Sequence, residues 1–489
     1  MRADLLALPS SVNLASTIRQ QEPLLAKQLG ISLYQVMEQA GNAAYQLLRQ
    51  RWPEAKRICV LCGAGNNAGD GYVLAREAAA AGLQVRLLQT DKPLDGDALI
   101  AQQSWLASGG TIEPLTLPLP DTEILVDALL GTGISGTVRP ALAAVITAVN
   151  QHPASVLAVD LPSGVNAQTG GIAGVAVNAD ITISFVANKL GLLTGGGLSQ
   201  CGELHLAPLQ LGAHLAAEGR LLQPECLSNW PARAANSHKG SHGKLLLLGG
   251  AEGMAGALRL AAEAALRSGA GLVAAGCAES SVSALVIPRP EVMAFTADSS
   301  QLEARLQWCQ VIGIGPGLGQ GRWSQRVWQS ALAQDKPMLV DADGLTLLAA
   351  KPQRRDNWVL TPHPGEAARL LDCSIAAVEQ DRLAAAQAIQ RQYGGVVVLK
   401  GVGTVIVDPQ QWSLAVTGNC GLATGGSGDL LSGIIAGLMA QGHANYQAAC
   451  MGVMLHGEAA DRAAGDGLRG MLPSDLFPHI RFLANQGTL

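Results

Sequence analysis

Short apolar runs recur along the chain and alternate with stretches whose apolar residues repeat at helical spacing. In the first 210 residues the runs are Ile58–Leu61, Val85–Leu88, Ile124–Val126, Val156–Val159 and Ile181–Phe185. Helical patterns such as Gly71–Ala81 and Pro140–Val149 fall between them. A second series holds Leu245–Leu248, Leu272–Ala275, Val311–Ile314, Met338–Val340, Trp358–Leu360 and Val396–Leu399, with helical patterns at Gly256–Ser268 and Glu366–Leu371. Strand-length apolar runs alternating with helices predict parallel, doubly wound sheets. Two α/β domains follow, residues 1–212 and 225–489, with a linker over 213–224. Leu206–Gly219 reads as a connector of helical character, and no internal repeat or low-complexity tract is present.

Composition adds constraints. A length of 489 residues suits two to four domains at about 150 residues each. Apolar residues make up 48% and charged residues 15%, which excludes a disordered chain. Glycine is abundant, 58 residues or roughly 12% against a usual share of about 7%. With only 23 prolines and no G-X-Y period, that excess points to tight turns where backbone approaches a ligand. The net charge of −5 leaves no basic footprint for nucleic acid. Mean hydropathy is +0.23, yet the longest strongly apolar stretch, Leu430–Ala440, is too short to span a membrane and follows Asp429. Asp4, Pro9 and the lack of a long apolar run near them argue against a signal peptide. The nine cysteines are scattered. Cys59 and Cys62, the one CxxC, sit three apart in a strand-like run and should point to opposite faces as inert thiols. A reducing cytoplasm and a homo-oligomer acting on small molecules, with no nucleic-acid or membrane partner, are expected.

Residues Gly63–Gly71 read GAGNNAGDG, after a strand and opening a helix. Gly63, Gly65 and Ala68 satisfy G-x-G-x-x-A, and Asp91 follows the next strand. This is a dinucleotide-binding pattern that alone would suggest an NAD-dependent dehydrogenase; a tight turn without ligand is the plain alternative. Asn66 and Asn67 put two amides in the turn, and Asp70 adds a carboxylate that a docked diphosphate would meet unfavourably. Further polar groups end later strands: Asp127 before GTGISGT (Gly131–Thr137), Asp160 in VDLPSG beside Ser163, and Lys189 in FVANKLG. Each alone could be a cap or a surface charge. Together Asn67, Asp127, Asp160 and Lys189 reach one sheet edge, where parallel sheets bind ligands. The oxygens of Asn67, Asp127 and Ser163 suit a hard cation.

NNAGDG, DALLGTG, VDLPSG and NKLG, with the upstream GISLYQVMEQAG (Gly30–Gly41), resemble the NAD(P)H-hydrate epimerase family over roughly residues 10–212. The resemblance implies K⁺ held by Asn67, Asp127 and Ser163. It implies substrate contacts from Asn66, Asn67, Ala68, Gly69, Asp70, Gly131, Thr132, Gly133, Ile134, Ser135, Gly136, Thr137 and Asp160. Asn166 stands where the family often has an acid. The hydrated cofactor carries a hydroxyl at C6, and exchanging its R and S forms requires loss and return of that hydroxyl. A carboxylate that donates and recovers a proton would assist, a role expected of Asp160. A non-catalytic binding module of the same fold is the second reading.

Gly418–Gly433 reads GNCGLATGGSGDLLSG before an apolar helix. Gly425, Gly426 and Gly428 leave amides free at a helix N-terminus, a phosphate cradle. Asp429 could be a helix cap, or the base that takes a proton from a hydroxyl attacking phosphorus. No P-loop signature is present, which excludes that class. GSGD resembles the ribokinase-like superfamily, whose vitamin-precursor kinases give one alternative. His238–Gly250, Gly253–Val273, Gly313–Gly319, Leu360–Glu366 and Leu399–Ile406 narrow the likeness to the ADP-dependent NAD(P)H-hydrate dehydratases over about residues 225–485. Cys420 replaces the family's usual proline. That resemblance implies hydrate contacts from Ala257, Gly317, His363 and Asp429, nucleotide contacts from Lys400, Gly401, Val402, Gly403, Thr404 and Gly428, ADP as co-substrate, and Mg²⁺ on its phosphates. The expected whole is a Rossmann-like domain followed by a ribokinase-like α/β domain. Zinc binding by His238 and His242 is not expected, because Gly240 and Gly243 disfavour a helix that would align them.

Overall fold

The computed structural model describes residues 3–485 apart from Ser135, Asn229 and Pro231. The chain divides into two compact units between Arg220 and Leu221.

In the N-terminal unit the five predicted strands form as Arg57–Cys62, Gln84–Gln89, Ile124–Ala128, Ser155–Val159 and Ile181–Phe185. Glu113–Pro114 and Glu203–Ala207 flank them to complete a seven-stranded sheet whose neighbours all pair in parallel. The winding reverses between Arg57–Cys62 and Ile124–Ala128, which are adjacent in space. Such a switch point opens a crevice at the carboxyl ends of the strands. Helices Leu33–Arg51, Asn66–Ala80 and Gly96–Ala107 bury one face, and Pro140–Gln151 buries the other through Val145, Ile146 and Val149. Cys62 joins the first core and Cys59 the second, as strand alternation requires. Burial pushes the Cys59 thiol up to about 12 and Cys62 higher still; among the described residues no disulfide joins the cysteines.

Two differences from the sequence reading follow from tertiary pairing. The helix after the first strand starts at Asn66, not Gly71, with extended Gly65 as its N-cap. The stretch Leu206–Gly219 is also not a helical connector. It begins in the edge strand Glu203–Ala207, holds a single tight turn at Gly212–His214, and ends where Gly219–Leu221 pairs antiparallel with Ser11–Asn13.

In the C-terminal unit the six predicted strands form, joined by Met293–Thr296 at one edge and the hairpin Thr404–Val407/Trp412–Ala415 at the other. All but the hairpin pairings are parallel. The winding again reverses, between Lys244–Leu248 and Val311–Ile314. Helices Ala255–Arg267, Ser427–Ala440 and Asn445–Ala463 pack together in a core of Ala, Leu, Ile and Met. Ser427–Ala440 is buried along almost its whole length, which explains its membrane-like hydropathy. Among the described residues no helix is long and apolar enough to cross a membrane.

Candidate active sites

At the N-terminal switch point the chain turns under close constraint. A Cβ on Gly63 would lie 1.8 Å from the Leu129 carbonyl oxygen, so only glycine lets the two strand ends meet. Beyond them lies a cavity of about 850 Å³ lined by Asn66, Asn67, Asp70, Asp91, Gly131–Ile134, Asp160 and Lys189. The structure thus brings most of the expected site residues together. Ala68 and Gly69, one helical face away, turn into the core instead; a Cβ on Gly69 would strike Met37. Gly136 and Thr137 are not on the cavity wall, and Ser135 lies outside the described residues.

Beneath the cavity floor three expected cation ligands form one network. Asp127, fully buried, accepts from the Ser163 hydroxyl at 2.6 Å, the Ser163 amide at 2.7 Å and the Leu129 amide at 3.2 Å. Burial outweighs these bonds and raises its carboxyl to about 6. Asn67 donates to the Leu130 carbonyl at 2.9 Å, while its Oδ1 is buried with no hydrogen-bond partner. An orphaned amide oxygen beside a carboxylate and a hydroxyl is an oxygen-only donor set, which fits K⁺.

The catalytic edge carries charge. Asp160 adopts a left-handed φ of 66°, with its amide donating to Ile183 O at 2.8 Å. Its Oδ1 accepts from Lys189 Nζ at 2.7 Å. Lys189 is only 3% exposed and spends its other donors on Ser184 Oγ and Phe185 O. Two more carboxyls face the pair. Burial, then Asp160 and Glu22, push Asp70 well above the usual range. Glu22, on helix Ala15–Leu29, is raised by burial, with Asp160 adding to it and Lys189 opposing. The sequence reading missed Glu22, whose helix shows no local signal of a site.

The C-terminal site is built on four strand ends and one helix. Lys400 follows Val396–Leu399, and its Nζ donates to Asp341 Oδ1 at 2.8 Å with Glu366 Oε2 at 3.7 Å. Burial lowers the Lys400 ammonium, but Asp341 and Glu366 more than compensate and hold it high. Asp341 Oδ2 accepts from Ser432 Oγ at 2.7 Å, tying this centre to helix Ser427–Ala440. A Cβ on Gly428 would lie 3.3 Å from Lys400 Nζ, so the glycine turn and the lysine share one space. Ser427 Oγ, in the same first turn, is buried without a partner. Asp429 sits there too; burial, then Asp341, raise its carboxyl to about 7, against the pull of Lys400. A group balanced near neutrality at a helix N-terminus suits a general base.

The remaining expected contacts surround this centre. Gly317, at φ 58°, abuts Ala257, whose Cβ would be 3.3 Å from one added there. His363 caps helix Pro364–Leu371, its amide donating to Glu366 Oε2 at 2.7 Å. Gly401, at φ 138°, leaves space for Arg382, which donates to the Leu399 and Lys400 carbonyls at 3.3 and 3.0 Å. Thr404 donates to Gly401 O at 3.2 Å, and Val402 is exposed. Asp341, Glu366 and the buried Arg382 were not expected. Asp341 did carry a signal, an acid ending a strand, as Asp127 and Asp160 do. His238 and His242 lie in a short 3₁₀ turn, bonded to Gly240 N and Ser237 Oγ. Among the described residues no cluster of three or more His, Cys, Asp or Glu could hold a metal.

Known proteins share both halves. A family model described as NAD(P)H-hydrate dehydratase matches residues 245–481, and one described as YjeF-related protein N-terminus matches residues 33–191. A ribokinase-like superfamily protein from Enterococcus faecalis matches with TM-score 0.52 and 29% identity, over 56% of this chain and 98% of its own. The ADP/ATP-dependent NAD(P)H-hydrate dehydratase from Bacillus subtilis, co-crystallised with ATP/Mg²⁺, matches with TM-score 0.50 and 31% identity, over 55% and 98%. The C-terminal unit is therefore ribokinase-like. The bifunctional NAD(P)H-hydrate repair enzyme Nnr of Escherichia coli (strain K12) is 46% identical over 494 aligned residues, which cover 99% of this chain and 96% of the relative. With likeness running through both units, the chain belongs to the family of bifunctional NAD(P)H-hydrate repair enzymes.

Proposed function

We propose that the N-terminal unit, residues 1–212, interconverts the R and S forms of hydrated NADH and NADPH, and that residues 225–489 dehydrate the S form at the expense of ADP. The observation that carries this reading is the pairing of two strand-end sites in one chain: a carboxylate-rich cavity over an oxygen network, and a glycine turn whose acid is balanced near neutrality. The names of full-length relatives support it.

In the first site Asn66, Asn67, Asp70 and Gly131–Ile134 line the cavity that takes the nucleotide, and Asp160 faces the C6 centre. The oxygens of Asn67, Asp127 and Ser163 would hold K⁺, which would supply positive charge to an anionic substrate. In the second site Asp429 takes the proton of the C6 hydroxyl, whose oxygen attacks the terminal phosphorus of ADP. Amides of Gly425–Gly428 and the helix N-terminus stabilise the transferring phosphoryl. The phosphorylated oxygen then leaves as the ring nitrogen pushes in electrons and C5 loses a proton. The dihydropyridine is restored, with AMP and phosphate released. Lys400, Gly401, Val402, Gly403, Thr404 and Gly428 hold the nucleotide, and Ala257, Gly317 and His363 the hydrate. Mg²⁺ keeps most of its ligands as water and phosphate oxygen. It therefore suits a site with carboxylates but no metal cage, and when bound it neutralises phosphate charge.

One incubation tests both halves. Mixed R and S hydrate with ADP or ATP should be converted completely to reduced cofactor, read by absorbance. Half conversion would remove the epimerase reading. A stable phosphorylated product instead of AMP or ADP plus reduced cofactor would point to a kinase.

A further inference from the structure

The N-terminal cavity holds more acid than one lysine can balance. Asp70, Asp160 and Glu22 line it with Lys189. Lys189 is already committed to Asp160 at 2.7 Å and to two further acceptors. With its Oδ1 taken by the lysine ammonium, Asp160 is placed to present charge rather than to pass a proton. The other charged groups on the cavity wall are Arg19, Asp91, Lys92, Asp97 and Arg139. Of the cations among them only Arg19 shares an element with Glu22, and the cation that acts on Asp70 is Lys189. Asp70 lies three and four residues beyond Asn67 and Asn66 on one helix. It therefore stands above both on the face turned to the cavity.

We propose that Asp70 is the general acid of epimerisation and Asp160 the anion that stabilises the cationic intermediate. The proposal rests on the epimerase reading of this site. In the first half of the reaction the C6–O bond breaks and its electron pair leaves on oxygen. The Asp70 proton joins that oxygen, and water departs. The ring nitrogen shares the positive charge left at C6, beside the Asp160 carboxylate. Water then adds to the opposite ring face and returns a proton to Asp70, so the enzyme is unchanged. Burial beside Asp160 and Glu22 keeps Asp70 protonated well above the ordinary carboxyl range, as a donor requires. The two carboxyls differ in their partners, Asp160 held by Lys189 and Asp70 by no ion pair among the described residues, and that difference divides their roles.

The test is the pH dependence of epimerisation by the full chain, for wild type, Asp70→Asn and Glu22→Gln. Wild-type kcat/KM should fall as pH rises through the Asp70 titration, because the acid form is needed. Asp70→Asn should lower kcat by about 100-fold or more and should lose that alkaline limb. Glu22→Gln should keep the limb. Asp70→Ala should regain rate on adding formate, with rescue following the protonated form of the added acid; a misfolded site could not respond this way. Near-wild-type activity of Asp70→Asn, a limb that vanishes with Glu22→Gln instead, or no formate rescue would overturn the proposal. A wild-type chain that fails to epimerise above the uncatalysed rate would overturn the epimerase reading and the proposal together.

Discussion

Asp341 and Lys400, at the ends of two strands with Trp358–Leu360 between them, meet at 2.8 Å, and the second oxygen of Asp341 holds Ser432 at 2.7 Å. Asp341 is 1% exposed, so this carboxylate has no role in solvent and works through what it fixes. It sets the position of the lysine beside the glycine turn. Asp341→Asn keeps the volume but leaves Lys400 without its main counter-charge. Breaking a buried pair typically costs about 3–5 kcal/mol. The variant should unfold at lower urea concentration, and KM for ADP should rise by roughly tenfold, about 1.4 kcal/mol of binding. An unchanged KM in steady-state assays would separate Asp341 from nucleotide positioning.

The proposed role of Asp429 as the base of dehydration predicts a pH dependence. A base must be ionised, and the Asp429 carboxyl is raised to about 7. Dehydration should therefore increase with pH through neutrality, and Asp429→Ala should abolish phosphate release. Stability has the opposite slope. The folded carboxyl holds its proton up to about 7, whereas an unfolded one releases it near about 4. Between those values the folded state binds more protons, so this group's contribution to stability declines as pH rises. Urea unfolding of Asp429→Asn across that window should show a shallower decline than wild type.

The strands were readable because apolar runs of three to six residues, rich in Val, Ile and Leu, sit between polar turns. The first site was legible in the acids and glycines that end those strands, and the second in a glycine turn before an apolar helix; the strand order that makes switch points of them was not. What pattern could not supply was side-chain direction within a helix. NNAGD reads as loop by composition, yet it forms a first helical turn, and that turn sends Asn66, Asn67 and Asp70 to the cavity while Ala68 and Gly69 pack inward. Arg382 was invisible for a different reason. Its helix, Arg382–Tyr393, looks ordinary, and only the fold places its guanidinium against the carbonyls of Leu399 and Lys400. The hairpin Thr404–Val407/Trp412–Ala415 was hidden inside a motif read for its nucleotide contacts.

Lys189 separates the two activities. Lys189→Met removes the partner of Asp160, which is 14% exposed at its side chain. An unpaired carboxylate there should destabilise the N-terminal unit by about 3 kcal/mol and eliminate epimerisation. Dehydration of purified S hydrate should persist, since Lys189 lies in residues 2–220 and Asp429 in the other unit. Chromatographic resolution of the epimers, alongside absorbance at the reduced cofactor's band, checks both statements.

Asn67 tests the cation. Its Oδ1 is buried without a partner, and its amide shares the Leu130 carbonyl with Ser163, whose hydroxyl donates to Asp127. Leaving such an oxygen unmet costs about 1–3 kcal/mol, which a bound cation would recover. Epimerisation should therefore rise with K⁺ in a buffer otherwise free of monovalent metal ions, and the melting temperature should rise with it. Asn67→Ala removes both the oxygen and the bond to Leu130 O at 2.9 Å. It should lose K⁺ dependence in rate and in melting temperature together. If the variant still responds to K⁺ in both measurements, the cation sits elsewhere and Asn67 Oδ1 needs another partner.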